Sequence, residues 1–298
     1  MLAIEFTEDR ILLVEGKAKN KKITVKKTHS FSFDESWTSQ QGVIQVDVLA
    51  DKLDNELKKY GFKGRSDVVI CFNHFNSIFR DLRVPYVEGK RLDVLVRTEM
   101  MNTLNLSNDY LIDYVILDEI ENEEGHFLEL LVVAIHQEFL ESYLKVCKKA
   151  NLRVRVGDFG VNTLIKMMEA SSHLHVNQLS IVLKISRTNL KMHLFDSFDY
   201  TFTRSVSFNQ EEELLPQIME NLNKMIQFMY TKVSVKEYTQ IVLMGEEELV
   251  EQVRMAVETD LNLPCVIFDM PHLVSNQSGE SLQPYVNAIG TMMRRSKP

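Results

Sequence analysis

Before residue 34 the apolar positions fall into three short runs. Residues 2–6, 10–17 and 22–33 have the β-branched and apolar content of strands, joined by charged turns, the second being Lys17-Ala18-Lys19-Asn20. This pattern predicts an antiparallel meander. Over residues 46–60, Val46, Leu49, Leu53, Leu57 and Tyr60 recur at spacings of three and four, which predicts an amphipathic helix ending before Gly61. "DVVICF" (67–72) is a continuous apolar run, expected as a strand buried on both faces.

"SIFRDLRVP" (77–85) predicts an edge strand ending at Pro85, and Leu92, Leu95, Val96, Met100 and Leu104 give residues 88–104 a helical period. Strands at 110–120 and 127–135 flank the turn "ENEEG", and a helix over 137–150 follows. This unit of strand, helix, two strands and helix interrupts the first domain. A strand in "LRVRVGDF" and a helix in "GVNTLIKMMEA" return to it, and "SSHLHVNQ" (171–178) is the expected linker. The programme then repeats: strands 179–185, 189–195 and 198–206, a long helix near 211–231, strand 239–244, helix 246–260, a short strand 264–268 and a last helix around 282–295. Two meander-plus-helix halves in one chain point to a duplicated fold.

The chain has 298 residues, 45% apolar and 26% charged, enough for two globular domains. A net charge of −8 argues against nonspecific nucleic-acid binding, which depends on cations that displace counterions. The longest apolar runs, such as "FLELLVVAI" (127–135), have about half the length of a membrane-spanning helix. Glu5, Glu8 and Asp9 stand where a signal peptide needs basic residues, so a cytoplasmic location is expected. Cys71, Cys147 and Cys265 are odd in number, far apart and set in apolar surroundings, as reduced core thiols are.

The order of these elements resembles the actin-like ATPase fold shared by sugar kinases and heat-shock chaperones, and within it the PilM family of type IV pilus assembly proteins. "RLDVLVRTEMMNTLNLSNDYLIDYVIL" is similar to the family's inserted subdomain through Glu99, Asp113 and Tyr114. "LKVCKKANLRVRVGDFGVNTL" resembles the helix and strand leading back, through Ala150, Leu152, Asp158 and Leu164. "DYTFTRSVSF", with Arg204, is similar to the second meander, and "IVLMGEEELVEQVRMAVETDLNLPCVIFDMP" and "YVNAIGTMMRR" resemble the last strand–helix–strand and the C-terminal helix. The resemblance implies an α/β fold of duplicated actin-like (ribonuclease H-like) domains: residues 1–170 with an inserted α+β subdomain at about 78–150, and residues 178–298. Only "NQEEELLPQ" stands where the family inserts a fourth subdomain, so that lid is expected to be reduced.

The nucleotide motifs depart from the family pattern. ATP-binding members open with Asp-Ile-Gly and a Ser-rich turn, because glycine lets backbone amides approach phosphates. Here the residues are Glu5-Phe6-Thr7-Glu8-Asp9-Arg10, without glycine and with two added carboxylates. Like charges a few ångströms apart repel by roughly 1 kcal/mol even in water. In the second phosphate loop, Lys184-Ile185-Ser186-Arg187-Thr188, Lys184 replaces an acid, and salt bridges from Lys184 and Arg187 across the cleft are favoured over anion binding. The adenosine-side turn Met244-Gly245-Glu246-Glu247 keeps one glycine. Thr7, Glu8, Lys184, Ser186, Arg187 and Gly245 thus mark a degenerate nucleotide cleft, with no catalytic residue, no metal and no cofactor expected.

The resemblance therefore implies a non-catalytic scaffold, a pseudo-ATPase of a bacterial type IV pilus or related secretion system. Its implied partner is a PilN-like inner-membrane protein, bound through a short cytoplasmic peptide in a groove bordered by residues near 79–86 and 131–147. Arg80, Arg83 and Tyr86 are the partner-binding candidates, with the two arginines expected on one face of the edge strand, where edge charges also deter aggregation. A pilus ATPase and a second copy of the chain are the other implied partners. The implied location is cytoplasmic, at the inner face of the membrane through the protein partner. The rival reading is an ATP-binding actin-like protein that hydrolyses ATP or polymerises; a type II secretion domain of the GspL type is a third, disfavoured because the chain ends without a span.

Other patterns have plainer explanations. His173-Leu174-His175 has metal-like alternation but no third ligand, so a polar linker is preferred. "GDFG" (157–160) lacks the companion motifs of a kinase. Met167, Met168, Met219, Met225 and Met229 are expected in the core, and Arg294, Arg295 and Lys297 at the end of the last helix.

Overall fold

The computed structural model describes residues 1–19, 22–39, 42–73, 77–232 and 238–293. Along the chain run β1 (Leu2–Phe6), β2 (Arg10–Lys19), β3 (Lys22–Ser32), a 3₁₀ turn (Glu35–Trp37), β4 (Thr38–Ser39), β5 (Gly42–Val43), α1 (Val46–Lys59), β6 (Val68–Phe72), β7 (Ile78–Pro85), α2 (Lys90–Leu104), β8 (Tyr110–Asn122), β9 (Gly125–His136) and α3 (Gln137–Lys149). There follow β10 (Val154–Phe159), α4 (Gly160–Glu169), β11 (Gln178–Ile185), β12 (Asn189–Asp196), β13 (Asp199–Ser207), α5 (Leu214–Lys232), β14 (Tyr238–Gly245), α6 (Glu247–Ala256), β15 (Cys265–Ile267), β16 (Val274–Asn276) and α7 (Val286–Thr291). The chain divides into two compact units, residues 1–32, 60–73 and 154–298 in the first and residues 33–59 and 74–153 in the second.

The duplication is visible inside the first unit. One sheet has the order β10-β6-β1-β2-β3-β16 and the other β13-β12-β11-β14-β15. In each, a central strand, β1 or β11, has an antiparallel meander on one side and parallel strands on the other. Parallel strands need cover on both faces, and β1 and β6 are buried at every residue. Leu183, Leu194 and Ile241 of the second sheet pack with Met225 and Met229 of α5 and Val250 of α6 in one apolar cluster.

Helix α7 packs on α4. Gly290 makes that approach feasible, because a Cβ there would lie 2.6 Å from the Thr163 carbonyl oxygen. All three cysteines are free and buried.

The second unit carries a three-stranded sheet of order β7-β9-β8, with β7 at one edge. Its core joins Val84, Leu92, Val96, Met100, Leu130 and Val132. Helices α1 and α3 also pack together here, and the Ser142 hydroxyl of α3 accepts from the Val43 amide at 2.9 Å.

Five details differ from the sequence pattern. Strand β2 runs through Lys19, paired with Lys22, because extended pairing continues past the lysines; Asn20 lies outside the described residues. Segment 171–178 is exposed only in part: Ser172, His175, Val176 and Asn177 face solvent, while His173 and Leu174 are buried and His173 Nε2 accepts from the Asp269 amide at 2.9 Å. Helix α6 stops at Ala256 and continues as a π-helical turn, Val257–Leu261, closed by Asn262 at φ +50°. The last helix is a 3₁₀ turn, Gln283–Tyr285, followed by α7, and Arg294, Arg295 and Lys297 lie outside the described residues. Strand β16, parallel to β3, is too short to show a period in the sequence. Among the described residues, no helix is long and apolar enough to cross a membrane, and no group of three His, Cys, Asp or Glu is placed to hold a metal.

His193 on β12 is 2% exposed, with Nδ1 2.5 Å from Thr203 Oγ1, which also accepts from the Tyr200 hydroxyl at 2.8 Å. Burial, helped by the Lys191 and Lys184 cations, pushes its pKa down to about 3.

Two outcomes follow. Gly290→Ala lowers unfolding free energy by about 1–3 kcal/mol in denaturant titration, whereas Val94→Ala, at a 66% exposed position, changes it by less than about 0.5 kcal/mol. As pH falls from about 6.5 towards 3, the unfolded chain takes up a proton at His193 that the folded chain refuses, so stability declines; in His193→Gln, the decline between pH 6.5 and 5 measured by thermal denaturation is shallower.

Candidate functional site: a charged cleft at the ends of β1 and β11

Strands β1 and β11 end in turns of the same design. The Thr7 amide donates to the Arg10 carbonyl oxygen at 3.1 Å and the Ser186 amide to that of Asn189 at 3.0 Å. In both, the hydroxyl closes the turn from inside: Thr7 Oγ1 accepts from the Arg10 amide at 3.2 Å, and Ser186 Oγ from the Thr188 and Asn189 amides at 3.3 and 3.1 Å. A phosphate cradle needs amides free to point at the ligand. These amides are already bonded within their own turns.

Behind the turns lies a network of buried charge. Glu5, on β1, is fully buried, and its Oε1 accepts from Lys184 Nζ at 2.7 Å, Asn73 Nδ2 at 2.9 Å and Asn287 Nδ2 at 3.3 Å. Asn73 is oriented in turn by Lys191 of β12, whose Nζ donates to its Oδ1 and carbonyl oxygen, both at 2.7 Å. Burial draws the Lys191 pKa down while the nearby Glu8 carboxylate opposes that shift. Glu8 Oε1 lies 3.7 Å from Lys191 Nζ, and Oε2 accepts from Asn189 Nδ2 at 3.4 Å.

On the opposite lip, Gly245 has φ +135°, and a Cβ would lie 2.0 Å from the Ile185 carbonyl oxygen, so a side chain is excluded twice over. Glu246, the next residue, sits between two guanidiniums, 3.2 Å from Arg10 Nη1 and 3.0 Å from Arg187 Nε. Arg187 also reaches Glu248 at 3.6 Å.

One pocket is thus lined by Thr7, Glu8, Lys184, Ser186 and Gly245, all expected from the sequence. Arg187 is placed differently: it is 62% exposed and engaged with Glu246 and Glu248, so it does not line the pocket. The sequence reading missed Asn73, Asn189 and Lys191. The available signal for Lys191 was a lysine inside the run "LKMHLF", in which His193 is the other polar residue.

The partner-binding candidates lie in the second unit. Arg80 pairs in register with Val132 and Arg83 with Glu129. A separation of three residues puts them on opposite faces of β7, because side chains alternate along a strand. The expectation of a shared face is therefore corrected. Arg83 stacks its guanidinium 4.3 Å from the Phe127 ring centre and reaches Glu124 at 3.8 Å, whereas Arg80 donates to the Phe79 carbonyl oxygen at 3.0 Å. Tyr86 lies flat on His126, with ring centres 4.0 Å apart, and donates its hydroxyl to Glu88. Asp81 beside them is pushed up to about 6, by burial and then by Glu129.

A family model described as type IV pilus assembly protein PilM matches residues 3–213. No curated protein sequence matches the chain. Among solved structures, the PilM–PilN type IV pilus biogenesis complex is similar over 100% of this chain and 98% of that one, with a TM-score of 0.82 at 17% identity. A Bacteroides thetaiotaomicron protein with an actin-like ATPase fold and unknown function aligns over 90% of both chains, with a TM-score of 0.51 at 12% identity. The cytoplasmic domain of EpsL, an inner-membrane component of the type II secretion system of Vibrio cholerae, aligns over 98% of this chain and 93% of that one, with a TM-score of 0.51 at 8% identity. Such identities establish shared fold, and the fold is the actin-like α/β one, repeated in the two five-strand patterns of the first unit. With the family match covering most of its length, the chain belongs to the PilM family of type IV pilus assembly proteins.

Proposed function

We propose that this PilM-family chain acts in type IV pilus assembly as a non-catalytic scaffold that binds a PilN-like membrane protein through a short cytoplasmic segment of that partner. The observation that carries the non-catalytic part is the internal neutralisation of the cleft: Lys184 is engaged by Glu5, Lys191 by Asn73 and Glu8, and Arg10 and Arg187 by Glu246. A nucleotide triphosphate entering here meets carboxylates whose neighbouring cations are already engaged, and turns in which the Thr7, Arg10, Ser186, Thr188 and Asn189 amides are already bonded. The partner reading is supported by the PilM–PilN complex to which the chain is similar and by the edge position of β7, where an extended peptide gains backbone pairing. Arg80 and Arg83, on the two faces of that strand, flank such a peptide on either side.

Titration calorimetry tests both parts. The expected outcome is no heat with ATP and Mg²⁺ up to millimolar concentration, and saturable binding of a synthetic PilN-type cytoplasmic peptide; micromolar ATP binding favours the nucleotide-dependent rival, and a peptide that never binds overturns the partner reading. In a structural role, Lys184→Met leaves Glu5 buried and uncompensated and costs about 3–5 kcal/mol, and adding Glu5→Gln recovers most of the loss in a denaturant titration performed without nucleotide.

A further inference from the structure

Residues 17–27 read "KAKNKKITVKK", six lysines and no acid within eleven residues of a chain with net charge −8. The fold arranges them. In the β2–β3 pairing, Lys19 stands opposite Lys22 and Lys17 opposite Thr24. Alternation along each strand therefore puts Lys17, Lys19, Lys22 and Thr24 on one face, while Ile23 and Val25 turn to the core at 2% and 0% exposure. The register shifts between Glu15 and Gly16, with Lys27 opposite Glu15, so Lys26 is the extra residue of a bulge. Lys17, Lys19, Lys22 and Lys26 are all exposed.

Glu15, on the same face of β2 as Lys17 and Lys19 by alternation, is the one carboxylate on this stretch, and it accepts from the Lys63 amide at 2.7 Å. Lys27 is set apart structurally, donating to the Tyr60 and Gly61 carbonyl oxygens at 2.7 and 3.0 Å. Among the described residues, none of Lys17, Lys19, Lys22 and Lys26 forms an ion pair. The edge strand β16 adds Ser275, whose hydroxyl donates to Thr24 Oγ1 at 3.1 Å, so the face continues as polar and uncharged. Two lysines directly opposite each other across a strand pair destabilise it, so folding alone gives no reason for this arrangement.

We infer that this lysine face of the β2–β3 hairpin is a docking surface for the anionic phospholipid headgroups of a bilayer. Composition separates that occupant from the others. Protein interfaces are enriched in aromatic residues and arginine and depleted in lysine, and this face has lysines, hydroxyls and the single carboxylate of Glu15, with no aromatic, aliphatic or arginine side chain. Recognition of a phosphate or carboxylate on a peptide uses the arginine fork. Nucleic acid is opposed by the net charge of the rest of the chain. Compact ammonium groups spread over an open face suit a diffuse layer of negative headgroups, where each near-surface lysine adds about 1 kcal/mol, or roughly a fivefold gain in partitioning. The inference concerns neither the cleft nor β7, and so stands or falls separately from the proposed scaffold function.

The test is co-sedimentation of the full-length chain with vesicles. Binding is expected to vesicles containing phosphatidylglycerol, to be absent with phosphatidylcholine alone, and to disappear in about 1 M salt, where the screening length shrinks to about 3 Å. Each of Lys17→Gln, Lys19→Gln, Lys22→Gln and Lys26→Gln is expected to weaken partitioning roughly fivefold, and the fourfold Lys→Arg variant to keep it. The inference is overturned if wild type ignores phosphatidylglycerol, if the fourfold Gln variant with unchanged thermal midpoint still binds, or if soluble polyglutamate binds this face while vesicles do not. Affinity for the PilN-type peptide, measured on the same variants, is expected to stay constant; a peptide that binds neither wild type nor any variant counts against the scaffold function and leaves the vesicle result intact, whereas affinity lost with the lysines puts the peptide on this face and overturns the inference.

Discussion

The buried carboxylate of Glu5 is the constraint on which the cleft depends. Moving a charge out of water costs several kcal/mol unless a partner and hydrogen bonds replace the lost hydration. Glu5 obtains them at Oε1, from Lys184 on β11, from Asn73 just after β6 and from Asn287 on α7, while its Oε2 is buried without a hydrogen-bond partner. Those three residues come from different parts of the fold, so one carboxylate fixes the register of β1 against the second sheet, the end of β6 and the C-terminal helix. Gly160 completes the fit, because a Cβ there would lie 2.5 Å from Asn73 Oδ1.

The same network determines what the cleft can offer a ligand. Lys191 is held against Asn73, Glu8 is drawn between Asn189 and Lys191, and Glu246 bridges Arg10 and Arg187. Each cation of the cleft is matched within the protein, and the Thr7, Arg10, Ser186, Thr188 and Asn189 amides close their own turns. A surface organised in this way stabilises itself. Within the cleft, Glu5 Oε2 and Asn287 Oδ1 are buried without a hydrogen-bond partner; the backbone edge of β7 and the lysines of the β2–β3 hairpin present their polar groups outward instead.

Much of this was legible in the sequence, for reasons that differ by element. The meanders and long helices could be read because their apolar periods span enough residues to exceed local noise, as with Leu49, Leu53 and Leu57 on α1. The absence of glycine between Glu5 and Arg10 was visible directly, as was the single Gly245. The places where the reading failed lacked a local signal. The three residues of β16 have no room for alternation, and the burial of His173 depends on a contact with Asp269, far away in sequence. The roles of Asn73 and Lys191 exist only after β1, β6 and β12 have come together. The arginines of β7 are a different kind of error, since the spacing of Arg80 and Arg83 already contained the answer and the alternation rule was enough to place them on opposite faces.

Glu5 and Lys184 occupy the same place in the two repeats, each one residue before the end of its central strand. The two halves of the duplication have thus taken opposite signs at equivalent points and now neutralise each other. Placing an acid at position 184 in one step sets two carboxylates face to face in a water-poor interior, and changing Glu5 first leaves a lysine without its counterion. The duplicated strands have become complementary rather than equivalent, and any lineage leaving this arrangement must cross an unstable intermediate. Such a barrier holds the pair in place whether or not selection acts on the cleft itself.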